Sequence, residues 1–204
     1  MMMRYTQQPL ADTRPVSRWR WRQVLAIALA MLGLPAAAAS EAAALAAVRD
    51  GEAVILMRHA HAAVGADAGS PVDCAADGHL SERGRNQAQA VGKRLREIGI
   101  EEALVRSSRA CHALETAAAL DIGPVEALPA LDSIATDRLQ AKPRTRTVRA
   151  YINDGHPAPL LLVTHEANIT RLAGVYPREA EMVIVARPLG TPARVLARIR
   201  VESD

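Results

Sequence analysis

Short, uninterrupted apolar runs alternate along the chain with segments of longer hydrophobic period. Ala53-Val54-Ile55-Leu56-Met57 contains no polar residue and is bounded by Gly51 and Arg58, which predicts a strand buried on both faces. Similar runs predict strands at Ala103 to Val105, Val125 to Leu128, Leu160 to Val163, Met182 to Ala186 and Arg194 to Ile199. From Ser81, a capping residue, Ala88, Val91, Leu95 and Ile98 recur at helical spacing until Gly99, with Lys93, Arg94 and Arg96 near the negative end. Helices are also expected over Ser40 to Arg49, Ala110 to Leu120, about Arg144 to Asn153 (ended by Gly155 and Pro157), and Glu166 to Ala173.

Strands alternating with helices predict a single α/β domain, a three-layer α/β/α arrangement around a mostly parallel sheet. Residues 60 to 79, with Gly65, Gly69, Pro71, Gly78 and three aspartates, read as a long loop, and no internal repeat is present. Ligands of such sheets bind beyond the carboxyl ends of the strands. Arg58 and His59, Arg109, and His165 each stand at one of those ends.

The first 39 residues follow a different pattern. Arg4, Arg14, Arg18, Arg20 and Arg22 precede an uncharged run from Val24 to Leu34, and small residues follow Pro35. That order reads as a secretory signal peptide cleaved most simply after Ala39, leaving a domain of residues 40–204. The run is shorter than the roughly 20 residues of a bilayer-spanning helix, so no stable membrane span is expected after cleavage, and the product is expected in an exported, periplasmic location. Removing residues 1–39 takes away five arginines and Asp12, so 25 basic and 22 acidic residues become 20 and 21. The basic excess thus resides in the targeting segment, and nucleic acid is not an expected partner. Both tryptophans leave with the signal and the chain has no phenylalanine, so the core must be built from Ala, Leu, Val and Ile.

The convergence of Arg58, His59, Arg109 and His165 reads as a pocket for phosphate. Planar guanidinium groups match phosphoryl oxygens two at a time, and a neutral imidazole can attack phosphorus in line. Backbone amides at the helix start near Arg109 would add partial positive charge. No metal or other cofactor is needed for that chemistry, and His59-x-His61 lacks a third ligand at close spacing.

Here the residues resemble a known family. Val54-Ile55-Leu56-Met57-Arg58-His59-Ala60 resembles the Arg-His-Gly signature of histidine phosphatases, with Ala60 in place of glycine. Leu80-Ser81-Glu82-Arg83-Gly84 through Gln87-Ala88, Ser107-Ser108-Arg109 with Glu115-Thr116-Ala117, and Val163-Thr164-His165-Glu166-Ala167-Asn168 resemble three further motifs of that superfamily, in family order. The resemblance implies a phosphoglycerate mutase-like fold and a phosphomonoester hydrolase. His59 would form a phosphohistidine, Arg58, Arg109 and His165 would hold the phosphate, and Asn168 would join them against a small phosphorylated substrate. Small size and an export signal resemble the lipopolysaccharide core heptose phosphatase group.

The resemblance points to Glu166 as the acid that protonates the leaving oxygen, with Asp132 as the alternative and Asp137 a weaker one. His112 and His79, beside the matched motifs, could line the pocket, although a structural or exposed role is the favoured reading, and His156 reads as a turn residue. Cys74 and Cys111 are the only cysteines, and export would favour a disulfide between them, contributing roughly 3 to 4 kcal/mol by loop closure. A rival expectation is a catalytically weak phosphate-binding protein of the envelope. The pattern leaves oligomeric state open.

Overall fold

The computed structural model describes residues 36–63, 79–156 and 159–202. The signal segment expected over residues 1–39 lies almost wholly outside the described residues, as do Cys74 and Pro157.

Six strands, β1 (Ala53–Arg58), β2 (Leu104–Ser107), β3 (Val125–Ala127), β4 (Leu160–Thr164), β5 (Met182–Ala186) and β6 (Val195–Ile199), form one sheet in the order β3-β2-β4-β1-β5-β6. The first four run parallel to one another, whereas β5 is antiparallel to both β1 and β6. No helix separates Ala186 from Val195, so the chain turns straight back and β6 must run antiparallel to β5.

Among the described residues, five helices cover this sheet: α1 (Ala36–Arg49), α2 (Glu82–Glu97), α3 (Cys111–Leu120), α4 (Ala141–Asn153) and α5 (Glu166–Ala173). Alternate strand residues explain the layering. Ile55, Met57, Val105, Leu161 and Val163 pack with Leu45 of α1, Val91 and Leu95 of α2, and Leu120 of α3. Val54, Leu56, Leu160 and Leu162 pack on the opposite face with Val148 and Ile152 of α4 and with Ile169 and Leu172 of α5. Strands covered on both faces have no solvated side, which is why their sequences show no polar alternation. The largest fully buried side chains are Ile, Leu and Met, as the scarcity of aromatics requires.

Element ends follow local chemistry. The Ser81 hydroxyl accepts from Gly84 N–H at 3.0 Å and caps α2, and Gly99 turns away from its other end at φ 83°. α4 starts at Ala141, three residues earlier than expected, preceded by a one-turn 3-10 helix at Arg138–Gln140 that Asp137 caps. The loop after β1 is described only at its ends, where Ala62 and Leu80 form an isolated antiparallel bridge.

α2 and α3 meet through a glycine. A Cβ at Gly92 would lie 1.9 Å from the Leu120 carbonyl oxygen, which is backbone and cannot rotate aside. Arg96 Nη1 donates to that same oxygen at 3.0 Å and to Asp121 O at 2.7 Å, closing the C-terminal end of α3. Gly92→Ala is therefore expected to cost at least about 2 kcal/mol by forcing the helices apart. Thermal unfolding should show a melting temperature lower by roughly 4 to 8 °C; an unchanged value would refute the contact.

Candidate active site

β4 lies between β1 and β2, with Arg58 opposite Thr164 and Ser107 opposite Val163. The backbone pairing runs one residue further on each side. His59 N–H donates to Thr164 O at 2.9 Å, and Ser108 N–H donates to Val163 O at 3.0 Å. Three strand exits are thereby laid side by side, and His59 and His165 leave the sheet as neighbours.

His59 is 5% exposed, and its Nδ1 lies 2.9 Å from Ala60 O. A carbonyl only accepts, so Nδ1 carries the proton and Nε2 keeps its lone pair. Ala60 N–H donates to Thr116 Oγ1 at 3.1 Å, and that hydroxyl donates to His112 O at 2.6 Å, tying the exit of β1 to α3.

His165 Nε2 lies 3.0 Å from Ser108 Oγ, which lies 3.2 Å from Asp132 Oδ1. An ionised carboxylate only accepts, so the chain reads His165 Nε2–H to Ser108 Oγ–H to Asp132. Asp132 also takes Arg109 N–H at 2.9 Å, Arg109 Nε–H at 2.9 Å and Arg109 Nη2–H at 2.6 Å. Its buried carboxylate clamps Arg109 with both oxygens, Oδ2 taking the two guanidinium donors and Oδ1 the backbone amide. The backbone amides expected to face a phosphate here are occupied, since Arg109 N–H is on Asp132 and Ala110 N–H is on Ser108 Oγ.

Arg58 Nη1 donates to Glu166 Oε2 at 3.0 Å and to Pro177 O at 3.1 Å. Its Nε is buried with no hydrogen-bond partner among the described residues. Glu166 opens α5 and its side chain is 46% exposed.

The residue that sequence reasoning undervalued is His112. It is buried, and its ring lies 4.2 Å from that of His59 and 5.4 Å from that of His165, with 5.3 Å between the latter two. The signal was helical phase: His112, Ala113, Thr116, Ala117 and Leu120 form the buried stripe of α3.

Other expected residues sit in supporting positions. Asn168 Nδ2 donates to Asp132 O at 3.0 Å and its Oδ1 accepts from Ile134 N at 3.3 Å, so its amide braces the Asp132 loop rather than facing a ligand. Asp137 pairs with Arg144 at 3.5 Å and caps the 3-10 turn. His61 Nδ1 is 2.7 Å from Ser81 Oγ, and His156 Nε2 is 2.8 Å from Tyr151 O. His79 hydrogen-bonds Glu115, which also takes Leu80 N–H at 2.8 Å and anchors the far end of the loop. Burial alone would raise the Glu115 carboxyl, but these two bonds and the charges of His79 and Arg85 together lower it. Cys111 is buried in the first turn of α3, while Cys74, its expected partner, lies outside the described residues.

Burial, then the His59 and His112 rings and the Arg58 and Arg144 guanidinium groups, hold the His165 imidazole well below its ordinary value of 6.5. His165 is neutral at pH 7.

A sequence profile of the histidine phosphatase superfamily (branch 1) matches residues 54–155. No curated protein sequence matches the chain. Among solved structures, the protein histidine phosphatase SixA complexed with tungstate aligns at TM-score 0.52 and 18% identity, over 72% of this chain and 96% of its own. A putative phosphohistidine phosphatase SixA from Agrobacterium tumefaciens aligns at 0.52 and 16% identity, over 73% and 98%. A phosphoserine phosphatase from Entamoeba histolytica in complex with 3-phosphoglyceric acid aligns at 0.54 and 12%, over 74% and 98%. At these identities the likeness establishes the phosphoglycerate mutase-like fold.

The depressed pKa of His165 sets a pH dependence of stability. Below about pH 6.5 the unfolded chain binds a proton here that the folded chain refuses, so stability present above that pH is lost as pH falls further. The slope attributable to this residue approaches about 1.4 kcal/mol per pH unit. Denaturant unfolding between about pH 7.5 and 5 should show that slope in the parent chain and a shallower one in His165→Asn; parallel profiles would contradict the assignment.

Proposed function

The chain belongs to the histidine phosphatase superfamily, and from that premise we propose that it hydrolyses phosphomonoesters outside the cytoplasm through a phosphohistidine on His59. One observation carries the reading: the Ala60 carbonyl fixes the proton on Nδ1 of His59, leaving Nε2 nucleophilic in a buried site at the strand ends. Nε2 attacks phosphorus in line, the ester oxygen departs with a proton from Glu166, and water then attacks the phosphohistidine to release phosphate. Arg58 and Arg109 hold the phosphoryl oxygens, and His165 joins them on taking up a proton at Nδ1, which the charge of the phosphate favours. The buried Nε–H of Arg58 is a donor that such an oxygen would satisfy.

Export rests on the arginines and apolar run of the first 39 residues. An oxidising compartment would bridge Cys74 to Cys111. The first substrates to try are phosphorylated lipopolysaccharide fragments, because small size and an export signal resemble the core heptose phosphatase group. A second reading, a weakly catalytic phosphate-binding protein, is favoured by the fact that both candidate acids sit in ion pairs, Glu166 with Arg58 and Asp132 with Arg109.

Turnover of an activated aryl phosphate against an alkyl phosphate tests both readings, since only the alkyl leaving group needs protonation. His59→Ala should lower both rates by at least about 1000-fold and abolish acid-labile labelling of the protein. Glu166→Gln should slow the alkyl ester about 100-fold and the aryl ester less than about tenfold. Orthophosphate binding without turnover of either ester would support the binding protein instead.

A further inference from the structure

The mechanism above uses one imidazole as nucleophile and one to hold phosphate, and it assigns no task to the third ring, His112. We propose that His59, His112 and His165 together form a binding site for a divalent transition-metal ion of the zinc class, and that this ion and the phosphoryl group compete for one centre. The ion site does not depend on the phosphatase reading, whereas its competition with the phosphoryl group rests on it.

All three residues are buried, and one ring nitrogen from each lies within 4.8 Å of the other two. They arrive from three separate segments, the exits of β1 and β4 and the first turn of α3, so their meeting is a product of the fold rather than of a local repeat. Three histidines with a fourth position open to water form one of the ligand sets that zinc takes. At zinc–nitrogen distances of about 2.0–2.1 Å, ligand nitrogens stand roughly 3.3 Å apart, so each ring has to move inward by about 1 Å, within the reach of side-chain rotation.

Two of the rings already have the outer partners that orient metal-bound histidines. His59 Nδ1 is held by the Ala60 carbonyl, which aims Nε2, and His165 Nε2 is held by the Ser108 hydroxyl and, through it, Asp132, which frees Nδ1. Charge also permits a cation. Arg58 faces Glu166 at 3.0 Å and Arg109 faces Asp132 at 2.6 Å, so each guanidinium beside the centre is matched by a carboxylate. His61, His79 and His156 are engaged elsewhere, with Ser81, Glu115 and Tyr151. Coordination would occupy Nε2 of His59, the lone pair that attacks phosphorus, so a bound ion blocks phosphohistidine formation.

The test uses the untagged full chain, stripped with chelator, and Co2+ or Zn2+ alone as probe. Titration with Co2+ should give one ion per chain, with the intense visible absorption of four-coordinate cobalt that loosely bound six-coordinate cobalt lacks. Zn2+ should displace it, and orthovanadate should displace it competitively. By calorimetry, His112→Asn and His165→Asn should each weaken Zn2+ binding about 100-fold or more, while His61→Asn leaves it unchanged. Where a phosphatase activity exists, it should be full in chelator and fall in step with Zn2+ occupancy.

Absence of the four-coordinate spectrum in the parent chain overturns the proposal whether or not any variant folds. So does equal Zn2+ affinity in folded His112→Asn. Activity in chelator without metal binding defeats this site and leaves the phosphatase reading intact, and metal binding by a chain that turns over neither ester even in chelator does the reverse.

Discussion

The two backbone hydrogen bonds that prolong the parallel ladders beyond their strands, His59 N–H to Thr164 O and Ser108 N–H to Val163 O, are the constraint on which the site rests. Adjacent strands stand about 4.8 Å apart, so whatever side chains follow β1, β2 and β4 must crowd together. β1 and β4 are buried on both faces apart from Arg58, and a one-residue slip would put Arg58 and His59 out of register with Thr164 and His165. Hydrophobic burial therefore fixes register, and register fixes the distance between His59 and His165. Preorganisation of this kind removes the entropy of bringing reacting groups together from the chemical step.

On that frame, charge is arranged as two ion pairs around a neutral centre. Two donors of the Arg109 guanidinium share one oxygen of Asp132 in a contact that is closed on the Asp132 side and 39% exposed on the arginine side, while Arg58 and Glu166 share one hydrogen bond. Removing one partner of a buried pair strands the other charge, a larger penalty than the pair's net contribution. Asp132 is thus tied to the structure as firmly as any apolar residue near it. It orders Arg109 directly and His165 through Ser108, so one carboxylate sets the orientation of two groups from different segments.

Much of this was legible in the chain. Strands covered on both faces, β1, β4 and β5, announce themselves as nearly unbroken apolar runs, and five of the six strands, all but β2, were placed within one residue at each end. His59 and His165 were legible for the same reason, since a polar residue directly after such a run has to stand at a sheet edge. The partner of Arg109 was not legible. Asp132 is 23 positions away and reaches Arg109 only because β3 and the turn at Pro129–Leu131 return the chain beside β2. His112 was harder still, because its direction depends on where α3 begins. Capped at Ala110, the helix turns position 112 inward with Thr116, and no residue-by-residue reading of a histidine in a helix conveys that without the phase.

The same geometry separates the two acids that the sequence left side by side. Both oxygens of Asp132 face donors, and its side chain is 5% exposed, so a proton brought to it would have to displace an Arg109 or Ser108 hydrogen bond. Among the described residues Glu166 takes a single hydrogen bond, on Oε2, and its side chain is 46% exposed. A proton donor in a multiple-turnover reaction has to be recharged from solvent after each cycle. Exposure and a spare oxygen support Glu166 as the proposed donor, whereas the clamp on Arg109 ties Asp132 into the structure. The division follows from which carboxylate the loop after β3 buries and which one the first turn of α5 leaves at the surface, and both are consequences of where the strands end.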